Sequence, residues 1–307
     1  MRTRMVCVYP DSLTCIQRLY FSQSSETISH GGKRALQLTS TKDITRQYRH
    51  IFLSPHLDDV VYACGGTLGM QVSSGLTPLV ISVFTGKPAA NQKLSPLAVD
   101  VLRDWSASDT QGAIRVMEER KQEDKAALDY LQADYLWLDY QEAIYRGQPG
   151  YYADKAQLMG GEVHTTDRSL DSELGQLLVD LHDQLPDTAW YAPLGIGRHV
   201  DHQILFSAVD RLVQRGAKVY FYEDFPYVQR DKGALDARLQ ELGGEFEYTL
   251  VETSEMLPLK LAAADLYASQ IQSNFGGREA MHKTMDSYAH TIRPVETIRL
   301  ERYWIAR

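Results

Sequence analysis

Cysteine is scarce. Three in 307 residues (Cys7, Cys15 and Cys64) make neither a disulfide framework nor a Cys-x-x-Cys metal pair, which fits a reducing, cytoplasmic setting. Long apolar runs are missing too, so no segment has the length of a membrane span. The N-terminus has early basic residues, but Pro10, Asp11 and Gln17 interrupt the apolar core that a signal peptide needs. Nor is there a basic surplus. A net charge of −8 argues against a general nucleic-acid surface and, more weakly, against anionic membranes. No Gly-x-Gly-x-x-Gly follows the first strand-like run, which weakens a Rossmann-type nucleotide enzyme. There is no internal repeat and no low-complexity tract.

What is present reads as an ordinary globular chain, 44% hydrophobic and 23% charged. Residues 1–47 lack periodicity and are read as a loosely ordered N-terminal extension. Residues 48–307 are read as a single domain. From residue 50, short β-rich runs alternate with amphipathic segments. Strands are expected at HIFLS (50–54), TPLVISVFTG (77–86), YLWLDY (135–140), TAWYAPLG (188–195) and AKVYFYED (217–224). Helices are expected after the first of these to about Gly75, and over 113–132, 169–184 and 202–216. The tail adds a strand EFEYTLVE, one longer helix EMLPLKLAAADLYASQIQ and a final strand RLERYWIA. This order predicts an α/β, Rossmann-like fold. Its sheet is mostly parallel, with helices on both faces and a site at the carboxyl ends of the strands.

Four polar clusters fall at those ends: SPHLDD, TGKP, DYQEAIYR and GIGRHVDH. Two adjacent carboxylates beside an imidazole, as in His56, Asp58 and Asp59, repel unless a cation sits among them. The plain alternative is a capped helix start, with Asp satisfying orphan N–H groups. A catalytic metal needs three N/O ligands and an open position. His56 and Asp59 can meet at one point, and either His199 or His202 completes a His2Asp set. Asp58 is then free to move protons, and the unused histidine faces a developing oxyanion. Asp201 is suited to hold one imidazole from behind. The other histidines (His30, His50, His164, His182, His282 and His290) have no paired context.

With GG following the first motif and GRHVDH later, the chain resembles the PIG-L/LmbE family of zinc-dependent N-deacetylases, whose motifs usually read A-H-P-D-D-E and H-P-D-H. The likeness covers about residues 50–307 and extends to RKQEDKAALDYL, EAIYRG, YEDFPY, YASQ and the final RYW. It implies that His56, Asp59 and His202 are the metal ligands, with Zn2+ or Fe2+ as the cofactor. It also implies Asp58 as general base and His199 as the residue assisting at the tetrahedral intermediate. The implied activity is hydrolysis of an N-acetyl group from an amino-sugar conjugate, a small-molecule partner. The sequence departs from the pattern at Val60, where many members have Glu, at Leu57 and Val200, which replace Pro, and at Gly197, where some have Tyr.

Four more residues are candidates for substrate contact. Arg146 either binds a hydroxyl or carboxylate or pairs with Glu142 or Glu223. Tyr145 is a second source of oxyanion help. Arg120 either reaches the site or pairs with Glu123 or a neighbouring carboxylate, and Glu223, like Asp224 beside it, either lines the cleft or supports it. A non-catalytic carbohydrate-binding relic of the same fold is the competing reading, for which Val60 and the N-terminal arm are the only support.

Overall fold

The structure is a computed structural model, and it describes residues 16–17 and 35–307. Among the described residues nine strands form one sheet: β1 (Ile16–Gln17), β2 (Gln37–Leu38), β3 (His50–Ser54), β4 (Leu79–Ser82), β5 (Asp134–Trp137), β6 (Ala189–Pro193), β7 (Lys218–Tyr222), β8 (Phe246–Glu252) and β9 (Leu300–Ala306). Their order across the sheet is β1-β8-β9-β7-β6-β3-β4-β5-β2. All neighbours are parallel except β9, which runs antiparallel to β7 and to β8. The mostly parallel α/β sheet expected from the alternating pattern is what forms.

The order reverses beside β3. The chain steps outward from β3 to β4 and β5, then returns to β6 on the other side of β3 and continues to β7. Right-handed crossovers therefore put the helices Asp59–Ser73 and Thr110–Leu131 on one face and Arg168–Gln184 and Val200–Gln214 on the other. The strands between them are continuous apolar runs because both faces are covered: Ile51, Phe52, Leu53, Leu79, Ile81, Trp190 and Ala192 are fully buried. At the gap between β3 and β6 two adjacent parallel strands lead into helices on opposite faces, and a crevice opens at their carboxyl ends.

Two elements differ from the sequence reading. Residues 37–38 pair in register with Tyr135 and Leu136, so part of the segment read as a loose arm closes one edge of the sheet. Leu38 is buried there, and Asp134 ties the entry down by accepting from Leu36 N at 2.8 Å. Residues 39–47 are also described and include a short 3-10 turn at Thr41–Asp43, whereas residues 1–34, apart from Ile16–Gln17, lie outside the described residues. The long helix expected over 255–272 is broken into Leu257–Ala264 and Ala268–Phe275. At the break, Asp265 accepts from His282 Nε2 at 2.8 Å and Tyr267 O–H donates to Asp124 at 2.7 Å. Tertiary partners for these polar side chains override local helix propensity.

Gly65 and Gly66, the glycines after the first motif, are close-packing positions. A Cβ on Gly66 would stand 2.7 Å from Thr253 Cβ and 2.9 Å from Glu301 Oε1. Segments inserted after β4 and after β5 build a second apolar cluster, including Leu97, Leu102, Met117, Tyr152 and Leu158. Leu57 and Val200, one from each motif, pack into it. That cluster is the roof over the carboxyl ends of the strands. No helix among the described residues is long and apolar enough to cross a membrane.

Candidate active site

The first motif turns sharply as β3 ends. Ser54 Oγ accepts from Val60 N at 3.2 Å and donates to the His56 carbonyl at 2.6 Å, so a serine closes the turn. Asp58 occupies the N-cap position but makes no capping hydrogen bond. The capped-start alternative therefore does not hold. The carboxylate faces a cavity of about 300 Å3, also lined by His56, Asp59 and His199. Val60 is buried in the main core, and an apolar residue suits that place.

Three candidate ligand atoms converge. His56 Nδ1 lies 3.3 Å and His202 Nε2 3.4 Å from Asp59 Oδ2. The His202 nitrogen is buried and has no hydrogen-bond partner, an arrangement that costs free energy unless something occupies the point it faces. The far nitrogen of each ring is clamped by a carboxylate. His56 Nε2–H donates to Asp201 Oδ2 at 3.0 Å, and His202 Nδ1–H donates to Asp224 Oδ1 at 2.6 Å. Such carboxylates fix the ring tautomer and orientation of metal-binding histidines. Two imidazole nitrogens and one carboxylate oxygen, all within 4.8 Å of one another, suit a divalent metal. His56, His199 and Asp201 form an alternative grouping, but Asp201 is already engaged by Arg146 Nη1 at 2.6 Å and Ala143 N at 3.0 Å.

The electrostatics separate the two adjacent carboxylates. Burial, and then the neighbouring Asp59 charge, push the Asp58 carboxyl up to about 7. Asp59 is buried as well, but the His202 and His56 contacts hold it well below the usual carboxylate range. His199 is kept neutral because burial drives its pKa down. Its Nδ1 accepts from Asp201 N at 3.2 Å, so the proton sits on Nε2, available as a donor.

The structure thus brings His56, Asp58, Asp59, His199, Asp201 and His202 to one place. The outer candidates separate. Arg120 does line the cavity, and its Nη1 donates to Glu142 Oε1 at 2.5 Å. Of the partners expected for it, a neighbouring carboxylate or Glu123, it is the former that pairs; Glu123 accepts from Ser269 N at 2.7 Å and Ser269 Oγ at 2.6 Å. Arg146 does not line the cavity. Its Nε and Nη2 hold Asp167 and its Nη1 holds Asp201, so it positions His56 through Asp201 and pairs with neither Glu142 nor Glu223. Glu223 lies away from the cavity and accepts from Arg302 Nε, Trp304 Nε1 and Tyr288 O–H. Tyr145 lines a separate open depression with Gln92 and Gln141, and its hydroxyl is buried without a partner.

Of the candidate pair Glu223 and Asp224 one stands behind the site, and two further residues there, Asn274 and Tyr227, carried little sequence signal. Asp224 adjoins Glu223, and side-chain alternation past the end of β7 sends the two to opposite sides. Of the pair, Asp224 is the one behind His202. Asn274 Nδ2 stands 3.5 Å from Asp58 Oδ2. Tyr227 fills the space a side chain at position 197 would need, since a Cβ on Gly197 would meet its ring at 2.5 Å. The Gly197 backbone (φ 82°) is left-handed, a second reason for glycine there.

Fold and site together define a parallel-sheet enzyme with a metal-type centre at its topological switch point. The chain belongs to the PIG-L family, described as GlcNAc-PI de-N-acetylase, whose model matches residues 51–213. A 2'-N-acetylparomamine deacetylase of Niallia circulans is 31% identical over 243 residues, covering 74% of this chain and 82% of the relative. Its counterpart in Streptomyces fradiae is 30% identical over 230 residues, 73% of this chain and 74% of the relative. Among solved structures, the zinc-inhibited form of teicoplanin deacetylase Orf2 superposes with a TM-score of 0.69 at 25% identity, over 84% of this chain and 98% of that one.

Proposed function

We propose that the domain of residues 48–307 is a metal-dependent N-deacetylase acting on an acetamido sugar within a larger conjugate, with zinc as the metal and Fe2+ as the alternative occupant. The observation that carries this reading is the convergence of His56 Nδ1, Asp59 Oδ2 and His202 Nε2, each ring clamped from behind, beside a carboxylate that caps nothing. His56, Asp59 and His202 would hold a dication, which would supply Lewis acidity for the acetyl carbonyl and for the attacking water. The chain's own groups do the rest. Asp58 takes a proton from the water as its oxygen bonds to the acetyl carbon. It returns that proton to the sugar nitrogen as the C–N bond breaks, leaving acetate and a free amine. His199 donates from Nε2 to the oxygen that gains charge at the tetrahedral stage. Asn274 restrains Asp58, Arg146 holds Asp201 behind His56, and Arg120 with Glu142 offers polar contacts to the sugar.

Acetate release from N-acetylglucosaminides by zinc-loaded protein tests the proposal, with Asp58→Asn and His202→Ala as companions. Release that is lost in both variants is expected. No release from any glycoside, with glycoside binding retained, would favour the carbohydrate-binding relic.

A further inference from the structure

Around the mouth of the cavity the charges are almost all compensated. Arg120 is paired with Glu142, and Lys155 stands 3.5 Å from Asp100 and 3.7 Å from Asp104. Arg230 is different. It lines the same cavity, is exposed, and pairs with no carboxylate among the described residues. The next residue, Asp231, turns its carboxylate to Gly233 N at 2.9 Å.

Arg230 is nevertheless held in place. Its guanidinium lies over the Tyr227 ring, 5.8 Å from the centroid, and Nη2 donates to the Asn274 carbonyl at 2.5 Å. Tyr227 in turn stands edge-on to the His202 ring at 5.7 Å, and the Asn274 side chain reaches Asp58. The cation is therefore tied both to a ligand histidine and to the base, with most of its five N–H donors unused. Beside it, Trp105, Phe225 and Tyr227 give the mouth an aromatic wall.

We propose that Arg230 is an anion subsite that selects substrates carrying a carboxylate or phosphate beyond the acetamido sugar; this rests on the deacetylase reading of the same cavity. A guanidinium on an aromatic face presents a fork that matches either anion in two-point contact. A group with several positive charges at that point would meet an unpaired cation.

The test uses the zinc-loaded full chain and four matched N-acetylglucosamine derivatives: the methyl glycoside (neutral), the carboxymethyl glycoside, the 1-phosphate and the aminoethyl glycoside (cationic). KM for at least one of the two anionic compounds is expected to be about tenfold below that of the methyl glycoside, as a charge-assisted hydrogen-bonded pair would give, and highest for the aminoethyl compound. The carboxymethyl and phosphate arms tell the two anions apart. In Arg230→Gln the neutral-to-anionic KM ratio should collapse towards one, and Arg230→Lys should restore part of it, with the corresponding kcat ratio little changed. Equal KM values across the four compounds, or a ratio that survives Arg230→Gln, would overturn the inference.

Calorimetric binding of the same compounds to wild type and Arg230→Gln separates this idea from the activity itself. Binding that prefers the anion and loses the preference in the variant, with no acetate released from any compound, supports the subsite and defeats the deacetylase reading. Acetate release with no anion preference does the reverse.

Discussion

The helix Asp59–Ser73 carries two buried polar clusters that differ in one respect. Near its middle, Glu301 accepts from Gly66 N at 2.9 Å, Thr67 N at 2.8 Å, Thr67 Oγ1 at 2.6 Å and Lys260 Nζ at 2.8 Å, and Tyr303 O–H joins at 3.1 Å. Lys260 also donates to the Ala63 carbonyl at 3.0 Å. Every charge there has a partner of the right kind. At the N-terminal end, His202 Nε2 has no hydrogen-bond partner and Asp58 makes no capping bond. Satisfied networks hold a structure together; unsatisfied ones mark where something else is meant to bind or react.

The sharpest way to break the comparison is at the open end. Asp58→Asn should lower acetate release about 10²–10⁴-fold while leaving Tm and metal stoichiometry as in wild type, measured by enzyme assay beside elemental analysis. If release persists at the wild-type rate, proton transfer belongs to another group. The closed cluster should respond in the opposite sense. Glu301→Gln leaves Lys260 buried without its counter-charge and should cost about 3–5 kcal/mol in denaturant unfolding, with turnover per folded molecule preserved.

Asp224→Asn probes the carboxylate behind His202. Metal affinity should fall about 10–100-fold in competition with a chelator, with little change in the unfolding midpoint. Gly66→Ala tests the tight contact in the closed cluster. Its methyl group would press on Thr253 and Glu301, and a loss of about 1–3 kcal/mol is expected from thermal unfolding.

The smallest effect concerns a carboxylate between the two extremes. Asp124 accepts from Trp137 Nε1 at 2.7 Å and from the Tyr267 hydroxyl, and burial pushes its carboxyl up to about 7. A carboxyl raised in the folded state contributes stability that is complete below its unfolded value of 3.8 and is lost as pH rises through about 7. The urea midpoint of wild type should therefore drift down across that window relative to Asp124→Asn. Parallel curves for the two proteins would show that Asp124 does not titrate there.

Much of this was legible in the chain. The alternation of β-branched runs with amphipathic segments marked the succession of strands β3 to β7 along the chain, and both motifs follow strands whose carboxyl ends face the same crevice. The roles left open were of another kind. Whether His199 or His202 turns a nitrogen towards Asp59 depends on which ring Asp224 can reach from the end of β7. Arg146 and Arg120 stand close to plausible partners in sequence, yet pair with Asp167, Asp201 and Glu142.

By itself, the sequence determined the periodicities, the parallel architecture and the residue types gathered at the strand ends. These follow from local backbone preference and from the need to bury one apolar face. Only the tertiary structure decided which nitrogen is free, which arginine is spent on holding a carboxylate and which one stands unpaired at the cavity mouth. Those outcomes depend on the distances between groups far apart in the chain, and no local pattern records them.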